Sequence, residues 1–151
     1  MIWGAITGKE KGPMIVWDKE NWGNITAKAY IQHVVPIVHE FWQSNEGYLL
    51  MEDGAAAHRA KITSETYQHL RITKIKWSAS SSDLNPIENV WRLLKARLQK
   101  RANRPLTLEA MKHAIQEEWE ALCLEDYLHY IRSMPECVQA VIAARGGHTK
   151  W

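Results

Sequence analysis

Apolar positions in the first third of the chain form two strand-like runs and then one long helical stripe. The runs 1–7 and 13–17 flank a polar turn, which predicts a β-hairpin. From Thr26 to about Ser44 the apolar side chains recur at helical spacing, and Thr26 is a suitable N-cap. Pro36 lies inside this stripe, so we expect the helix to kink or split there.

The rest of the chain predicts two further strands and a series of helices. The apolar run 48–52 is typical of a short buried strand, and the imperfect alternation over 72–77 favours another. Helical periodicity predicts helices over 55–70, 86–103, 108–122, 125–132 and 135–145. The pattern as a whole favours a mixed α/β fold whose C-terminal part is helical.

Two acids occupy favourable places at the ends of these elements. Asp53 follows the strand 48–52, so its carboxylate should emerge at the C-terminal end of that strand. Asn85 is a good N-cap and Pro86 suits the first helical position, which puts Glu88 in the first turn, where the helix dipole favours a carboxylate. With 34 residues between them, the two acids could face each other across a cleft and hold divalent metal.

Each acid also has a simpler interpretation. Asp53 on its own is most often a turn or cap residue. Glu88 can reach back to Asn85 and complete a capping box. Only the combination of the two acids with the sequence around them favours a metal site.

That surrounding sequence resembles the catalytic core of the Tc/mariner superfamily of DDE transposases. The motif reads Asp83-Leu84-Asn85-Pro86-Ile87-Glu88-Asn89-Val90-Trp91, and its spacing from Asp53 agrees with the family. The C-terminal segments Ser133-Met134-Pro135 and 143–151 also resemble that family's usual ending. The resemblance implies an RNase H-like fold, a mixed sheet flanked by helices, and metal-dependent DNA cleavage and strand transfer during transposition.

The resemblance also implies ligands, partners and roles for particular residues. Asp53 and Glu88 would be catalytic and would each serve a metal, with two Mg²⁺ or Mn²⁺ ions in the intact site. His58, Arg59 and Lys61 would border the DNA. The partners would be transposon ends and target DNA, with a homodimer as a further expectation, and the location would be the nucleus.

The distribution of charge is more informative than the net charge of +2. Six basic residues and no acid lie from Arg92 to Arg104, while five acids and no base lie from Glu117 to Asp126. Such segregation suggests a cationic face that binds DNA, although a solvated helix surface is its commoner cause. The residues of this segment that we expect to bind DNA are Arg92, Lys95, Lys100 and Arg101.

The chain departs from the family pattern in three ways. Ser78, Ser82, Ala56 and Ala57 stand where relatives usually carry prolines or a Pro-Cys pair, and Glu136-Cys137 stands in place of a basic pair. The first acid of the family's triad normally lies on a strand before the hairpin, and no such strand precedes it here. We therefore expect a catalytic domain truncated at its N-terminus, lacking the first strand of its sheet, with little or no cleavage activity and with unpaired strand edges.

Three function classes stay open from the residues. The first is a DDE transposase or endonuclease domain, here incomplete. The second is a non-catalytic DNA-binding remnant or a domesticated regulatory protein that uses the basic segment. The third is a plain α/β interaction domain whose acids are caps.

Length and composition set the remaining expectations. The chain has 151 residues, 46% of them apolar, which suits one domain over 1–151 with 105–151 as its helical extension. The cysteines Cys123 and Cys137 lack metal-ligand spacing and fit a reduced state. No apolar run is long enough to span a bilayer and no signal peptide is evident, so we expect a soluble, intracellular protein without a membrane partner.

Overall fold

In a computed structural model of the chain, the structure describes residues 1–45, 47–76, 84–147 and 149. Predictions for Trp77, for Ser78 and Ser82 of the serine-rich loop and for Asp83 lie outside the described residues, as do those for the tail residues His148, Lys150 and Trp151. The elements, in chain order, are β1 (Ile2–Ile6), β2 (Lys11–Val16), α1 (Lys19–Trp22), α2 (Ala27–His33), α3 (Val35–Gln43), α4 (Ala56–Arg59), α5 (Lys61–His69), α6 (Pro86–Lys100), α7 (Leu108–Glu120), α8 (Leu124–Arg132) and α9 (Met134–Ala143).

The chain divides into two compact units. Unit 1 comprises Met1–Gly4 and Ile15–Ser81, and unit 2 comprises Ala5–Met14 and Ser82–Trp151. Asp53 therefore belongs to unit 1 and Glu88 to unit 2. None of the helices in the described ranges is long and apolar enough to cross a membrane.

The predicted hairpin is present, since β1 and β2 pair as a two-stranded sheet. Its turn is closed by Thr7, whose backbone N–H donates to the Glu10 carbonyl at 2.9 Å. The Thr7 hydroxyl oxygen in turn accepts from the backbone N–H groups of Lys9 at 3.2 Å and Glu10 at 3.0 Å. Side-chain and backbone bonds of this kind fix the register of a hairpin.

The long helical stripe after Thr26 splits at the proline, as predicted. The Thr26 hydroxyl accepts from Ala29 N at 3.1 Å and so caps α2. A single residue, Val34, separates α2 from α3, and Pro36 lies at the start of α3. The split follows from chemistry, because proline has no N–H for the preceding helix and its ring clashes with a carbonyl one turn back.

The two strands predicted over 48–52 and 72–77 are shorter than expected. Each contributes one residue to an isolated parallel bridge between Leu50 and Lys74. Leu50 N donates to the Thr73 carbonyl at 2.9 Å and Ile75 N donates to the Leu50 carbonyl at 2.9 Å. After this segment the chain turns at Asp53, whose Oδ1 accepts from Ala55 N at 3.0 Å.

The prediction of one helix over 55–70 was also wrong. Ala60 has extended backbone angles, φ −60° and ψ 138°, and separates α4 from α5. The Thr63 hydroxyl donates to the Ala57 carbonyl at 2.7 Å, which satisfies an acceptor that the short helix α4 leaves open. Thr63 is buried, so this bond connects α4 to α5 in the interior of unit 1.

Unit 2 is organised around an apolar core on one face of α6. The cluster contains Val90, Leu94, Trp119, Leu122 and Tyr127, all of them buried. Val90 and Leu94 come from the predicted apolar stripe of α6, and the other three are contributed by α7, α8 and the turn between them. Three-helix packing of this kind confirms the predicted helical C-terminal part.

The hairpin residues of unit 2 are attached to the end of α7. The Lys11 ammonium donates to the carbonyls of Trp119 at 2.6 Å, Glu120 at 2.9 Å and Leu122 at 3.0 Å. The Trp119 indole N–H donates to the Gly12 carbonyl at 3.2 Å. A cation at a helix C-terminus satisfies the last carbonyls and complements the helix dipole.

Candidate functional site

The Asp53 carboxylate is fixed through one of its oxygens. Oδ1 accepts from Ala55 N at 3.0 Å, a side-chain turn, and from His58 Nδ1 at 2.6 Å. No hydrogen bond within the described residues involves Oδ2, and the side chain is 51% exposed. Asp53 therefore presents one restrained oxygen and one oxygen that can bind a ligand.

His58, which we predicted to border DNA, is largely covered. Its side chain is only 12% exposed, and Nδ1 faces Asp53. The imidazole ring lies against the ring of Tyr30, with centroids 4.7 Å apart. A DNA contact of His58 stays a prediction, whereas its contact with Asp53 is a feature of the fold.

Next to Asp53 lies a buried polar network that sequence reasoning did not find. Glu52 is buried and accepts from Tyr30 Oη at 2.6 Å, Tyr67 Oη at 2.8 Å and Lys74 Nζ at 2.8 Å. The two tyrosine oxygens are 3.2 Å apart. Three donors, one of them charged, compensate the burial of this carboxylate.

The protonation of the two tyrosines follows from this setting. Burial, and then the charge of Glu52, raise the pKa of both Tyr30 and Tyr67 well above the ordinary range. Both hydroxyls therefore stay protonated and can donate. The sequence signal available was a glutamate at the end of an apolar run, with a lysine on the next predicted strand and tyrosines at helical spacing.

Glu88 lies in the first turn of α6, as predicted. Its backbone N–H donates to the Asn85 carbonyl at 3.0 Å. Asn85 occupies the N-cap position and Pro86 begins the helix, but the Asn85 side chain makes no capping hydrogen bond. The side-chain cap and the capping box were therefore wrong, and within the described residues the Glu88 carboxylate has no hydrogen-bond or ion-pair partner.

Exposed basic residues lie on α4, α5 and α6. The Lys61 side chain is 89% exposed and only weakly paired, with Glu65 at 3.7 Å. Arg59, Arg92, Lys95 and Lys100 are exposed as well. The Arg92 guanidinium donates to the Asn89 side-chain oxygen.

Part of the predicted cationic face is neutralised by the acid-rich segment. Arg101, which we predicted to bind DNA, donates to Glu118 at 2.8 Å and also pairs with Glu117. Arg97 pairs with Asp126 at 2.6 Å. The segregation of charge along the chain thus serves in part to join α6 to α7 and α8, and the DNA contact of Arg101 stays a prediction.

Asp126 also caps α8. Its Oδ2 accepts from Cys123 N at 3.0 Å. Burial opposes ionisation here, but the hydrogen bonds from Cys123 and Arg97 outweigh it, and the pKa of Asp126 is lowered. The carboxylate is therefore charged at neutral pH and holds the pair with Arg97.

The donor chemistry of Asp53 and Glu88 fits a hard divalent cation such as Mg²⁺, which prefers carboxylate oxygens and water. Each side chain has carboxylate oxygen without a partner among the described residues. In the same part of the chain no group of three or more His, Cys, Asp and Glu side chains is arranged to take a metal ion.

A sequence profile described as DDE superfamily endonuclease matches residues 2–112, a range that contains both acids. The chain belongs to this family. The similar proteins show the Tc/mariner branch of it. Over 155 residues the chain is 27% identical to the transposable element Tc1 transposase of Caenorhabditis elegans, and the match covers the whole chain. Over 153 residues it is 26% identical to the Tc3 transposase of the same organism, with 97% of the chain covered.

This DDE family chain spans about half the length of those two relatives, 54% of the Tc1 protein and 44% of the Tc3 protein. Solved structures agree on the fold. Structures of the Mos1 transposase catalytic domain with raltegravir and Mn or Mg match 84% of the chain and 66% of theirs, with a TM-score of 0.72 at 21% identity. A Mos1 paired-end complex with the left transposon end matches 93% of the chain and 42% of its own, with a TM-score of 0.77 at 19% identity. The predicted RNase H-like mixed α/β fold and the Tc/mariner resemblance are both confirmed.

Proposed function

We propose that residues 1–151 form a transposase catalytic domain, with 105–151 as its helical extension, and that Asp53 and Glu88 are catalytic metal ligands in DNA cleavage and strand transfer. The observation that carries the proposal is the exposure and the hydrogen bonding of the Asp53 carboxylate. It lies at the position that the family resemblance assigns, half exposed, with one oxygen restrained and the other open. A plain turn aspartate needs no partner such as His58.

The chain's own residues supply binding and orientation. Asp53 offers Oδ2, while Ala55 N and His58 Nδ1 restrain Oδ1. Glu88 offers its carboxylate from the first turn of α6, where the helix dipole stabilises negative charge. Bound Mg²⁺ or Mn²⁺ ions, two in the intact family site, supply activation of the attacking oxygen and stabilisation of the leaving oxygen.

We assign only two acids of the triad within these 151 residues. The first acid of the family's triad has no counterpart among the positions that the resemblance matches. We therefore expect these residues alone to bind divalent metal weakly and to cleave DNA little or not at all. A longer chain that carries this acid on a preceding strand should cleave DNA.

DNA is the proposed partner, bound through phosphate contacts. Arg59, Lys61, Arg92, Lys95 and Lys100 are the exposed basic side chains of α4 to α6 that we assign to it. His58 and Arg101 are not included in this set, because His58 contacts Asp53 and Arg101 pairs with two glutamates. The solved Mos1 complexes include a strand transfer complex and a paired-end complex with a transposon end, which supports DNA as partner and a dimer as the working state. A DNA substrate makes the nucleus the proposed location.

A second candidate function is favoured by the exposure of these basic residues. A regulatory or domesticated protein could bind DNA through them without any metal chemistry. DNA affinity that falls with salt and is unchanged in Asp53→Asn and Glu88→Gln, together with no metal effect, would favour this second function.

The test is a metal-dependent thermal shift of the purified chain. We expect Mn²⁺ to raise the melting temperature of the unmodified chain and to have no such effect on Asp53→Asn or Glu88→Gln. Glu65→Gln is the matched control, because Glu65 is an exposed acid of α5 that lies outside the proposed site. Equal shifts in all four proteins would overturn the assignment of the two ligands.

A further inference from the structure

The buried polar network of unit 1 ends at the proposed metal ligand. It starts from Glu52, the residue before Asp53, which accepts three side-chain hydrogen bonds. A carboxylate with that many partners is held in one orientation, and so is the backbone next to it. The neighbouring Asp53 is thus attached to a fixed point of the fold.

Two of the residues that Glu52 holds also contact His58. Tyr30 donates its hydroxyl to Glu52 and lays its ring against the imidazole. Lys74 donates to Glu52 and, at 3.2 Å, to the backbone carbonyl of His58. His58 is therefore restrained both at its ring and at its backbone.

His58 in turn restrains Asp53. The Nδ1 to Oδ1 distance of 2.6 Å is that of a strong, charge-assisted bond, and a carboxylate can only accept it. Nδ1 must therefore carry the proton. The path from the buried glutamate to the exposed aspartate consists of hydrogen bonds and one ring contact, without a gap.

We propose that His58 is a positioning residue for Asp53 and that Glu52, through Tyr30 and Lys74, holds His58 in place. This inference rests on the proposed function, since it assigns the open Oδ2 to a metal ion. The bond to Oδ1 fixes the rotation of the carboxylate, so that Oδ2 is presented in one direction. Partners that orient a ligating group in this way typically change metal affinity by about 10- to 100-fold when they are removed.

The chain offers a matched set of variants. His58→Leu removes the donor and keeps a side chain of comparable bulk. His58→Asn keeps a donor nitrogen at the same position along the side chain as Nδ1. Mn²⁺ affinity is measured by calorimetry for both and for the unmodified chain, beside the melting temperature without metal.

We expect His58→Leu to bind Mn²⁺ about 10- to 100-fold more weakly and His58→Asn to recover most of that loss. A role limited to packing would instead lower the metal-free melting temperature in both variants, without rescue of affinity by asparagine. A folded His58→Leu chain with unchanged Mn²⁺ affinity would overturn the inference and leave the two ligands of the proposed function intact.

A second readout needs no metal. Nitrogen-15 NMR at neutral pH should show the imidazole of His58 with a hydrogen-bonded, slowly exchanging Nδ1 proton in the unmodified chain and in Glu88→Gln. The signal should be lost in Asp53→Ala. Its absence from the unmodified chain would overturn the inference, whereas its presence in a chain that binds no Mn²⁺ would overturn the proposed function and leave the positioning contact standing.

Discussion

The two units place buried tyrosine hydroxyls in different surroundings. In unit 1 the hydroxyls of Tyr30 and Tyr67 both donate to a buried carboxylate. In unit 2 the hydroxyl of Tyr127 is buried in the apolar core without a hydrogen-bond partner among the described residues. Unit 1 thus includes a satisfied polar network around a buried carboxylate, while the apolar cluster of unit 2 contains one buried hydroxyl without a partner among the described residues.

This difference parallels the position of the acid that each unit carries. The proposed role of Asp53 requires a defined orientation, and hydrogen bonds supply directions that apolar contacts do not. Glu88 is placed by the start of a helix, and a helix needs only its apolar face to be buried. A polar network therefore lies next to Asp53 on its turn, and an apolar core supports the helix that carries Glu88.

The largest effect is expected from the apolar core of unit 2. Trp119→Ala should lower the free energy of unfolding by about 3–5 kcal/mol, because it leaves a cavity among buried side chains. It also removes the donor to the Gly12 carbonyl. Urea unfolding measures the loss, with Leu106→Ala as control, since Leu106 is 94% exposed and its truncation should be nearly neutral. A loss under about 1 kcal/mol for Trp119→Ala would contradict an apolar origin of the stability of unit 2.

A comparable loss is expected from the polar network of unit 1. Glu52→Gln keeps the shape but removes the charged partner of Lys74, which keeps only the His58 carbonyl as acceptor, and this should cost about 3 kcal/mol. The control Glu65→Gln removes an exposed acid and should change stability by less than about 0.5 kcal/mol. Equal stability of the two variants in urea would mean that the network contributes nothing to unit 1.

The two kinds of buried tyrosine give the sharpest contrast. Tyr67→Phe removes a bond to a charged acceptor and should cost about 1.5–3 kcal/mol. Tyr127→Phe removes a hydroxyl without a partner and should be neutral or stabilising. The same substitution should therefore have different outcomes in the two units, and similar losses would contradict the comparison.

The smallest effect is the pH dependence that comes from Asp126. Its pKa in the folded chain is lowered, so its ionisation stabilises the fold above its unfolded pKa of about 4. This contribution should disappear as the pH falls from there through the folded pKa. Urea unfolding of the unmodified chain and of Asp126→Asn should show converging stabilities at acid pH. A constant difference over that range would contradict the assignment.

Local sterics made part of the fold predictable from the sequence. Thr26 as a cap, Pro36 as a helix break and Pro86 as a helix start each act on their own neighbours, so the pattern was sufficient. The family motif likewise indicated the RNase H-like fold. The break at Ala60 carries no such local signal, because alanine favours helix and no proline or glycine stands there.

The missed features of the site are long-range pairings. Glu52 is buried because three donors from 15 and 22 residues away converge on it. Arg101 is engaged by acids 16 and 17 residues away on another helix. A linear pattern can show that a charge is present, but it cannot show which partner neutralises it in the fold.

The proposed function depends on the binding of divalent metal by the carboxylates of Asp53 and Glu88. The most direct measurement is anomalous X-ray diffraction from crystals of the chain grown with Mn²⁺. The proposed function predicts Mn²⁺ bonded directly to Asp53 Oδ2 and to the Glu88 carboxylate. Anomalous peaks confined to other residues, with both carboxylates free of metal, would contradict it.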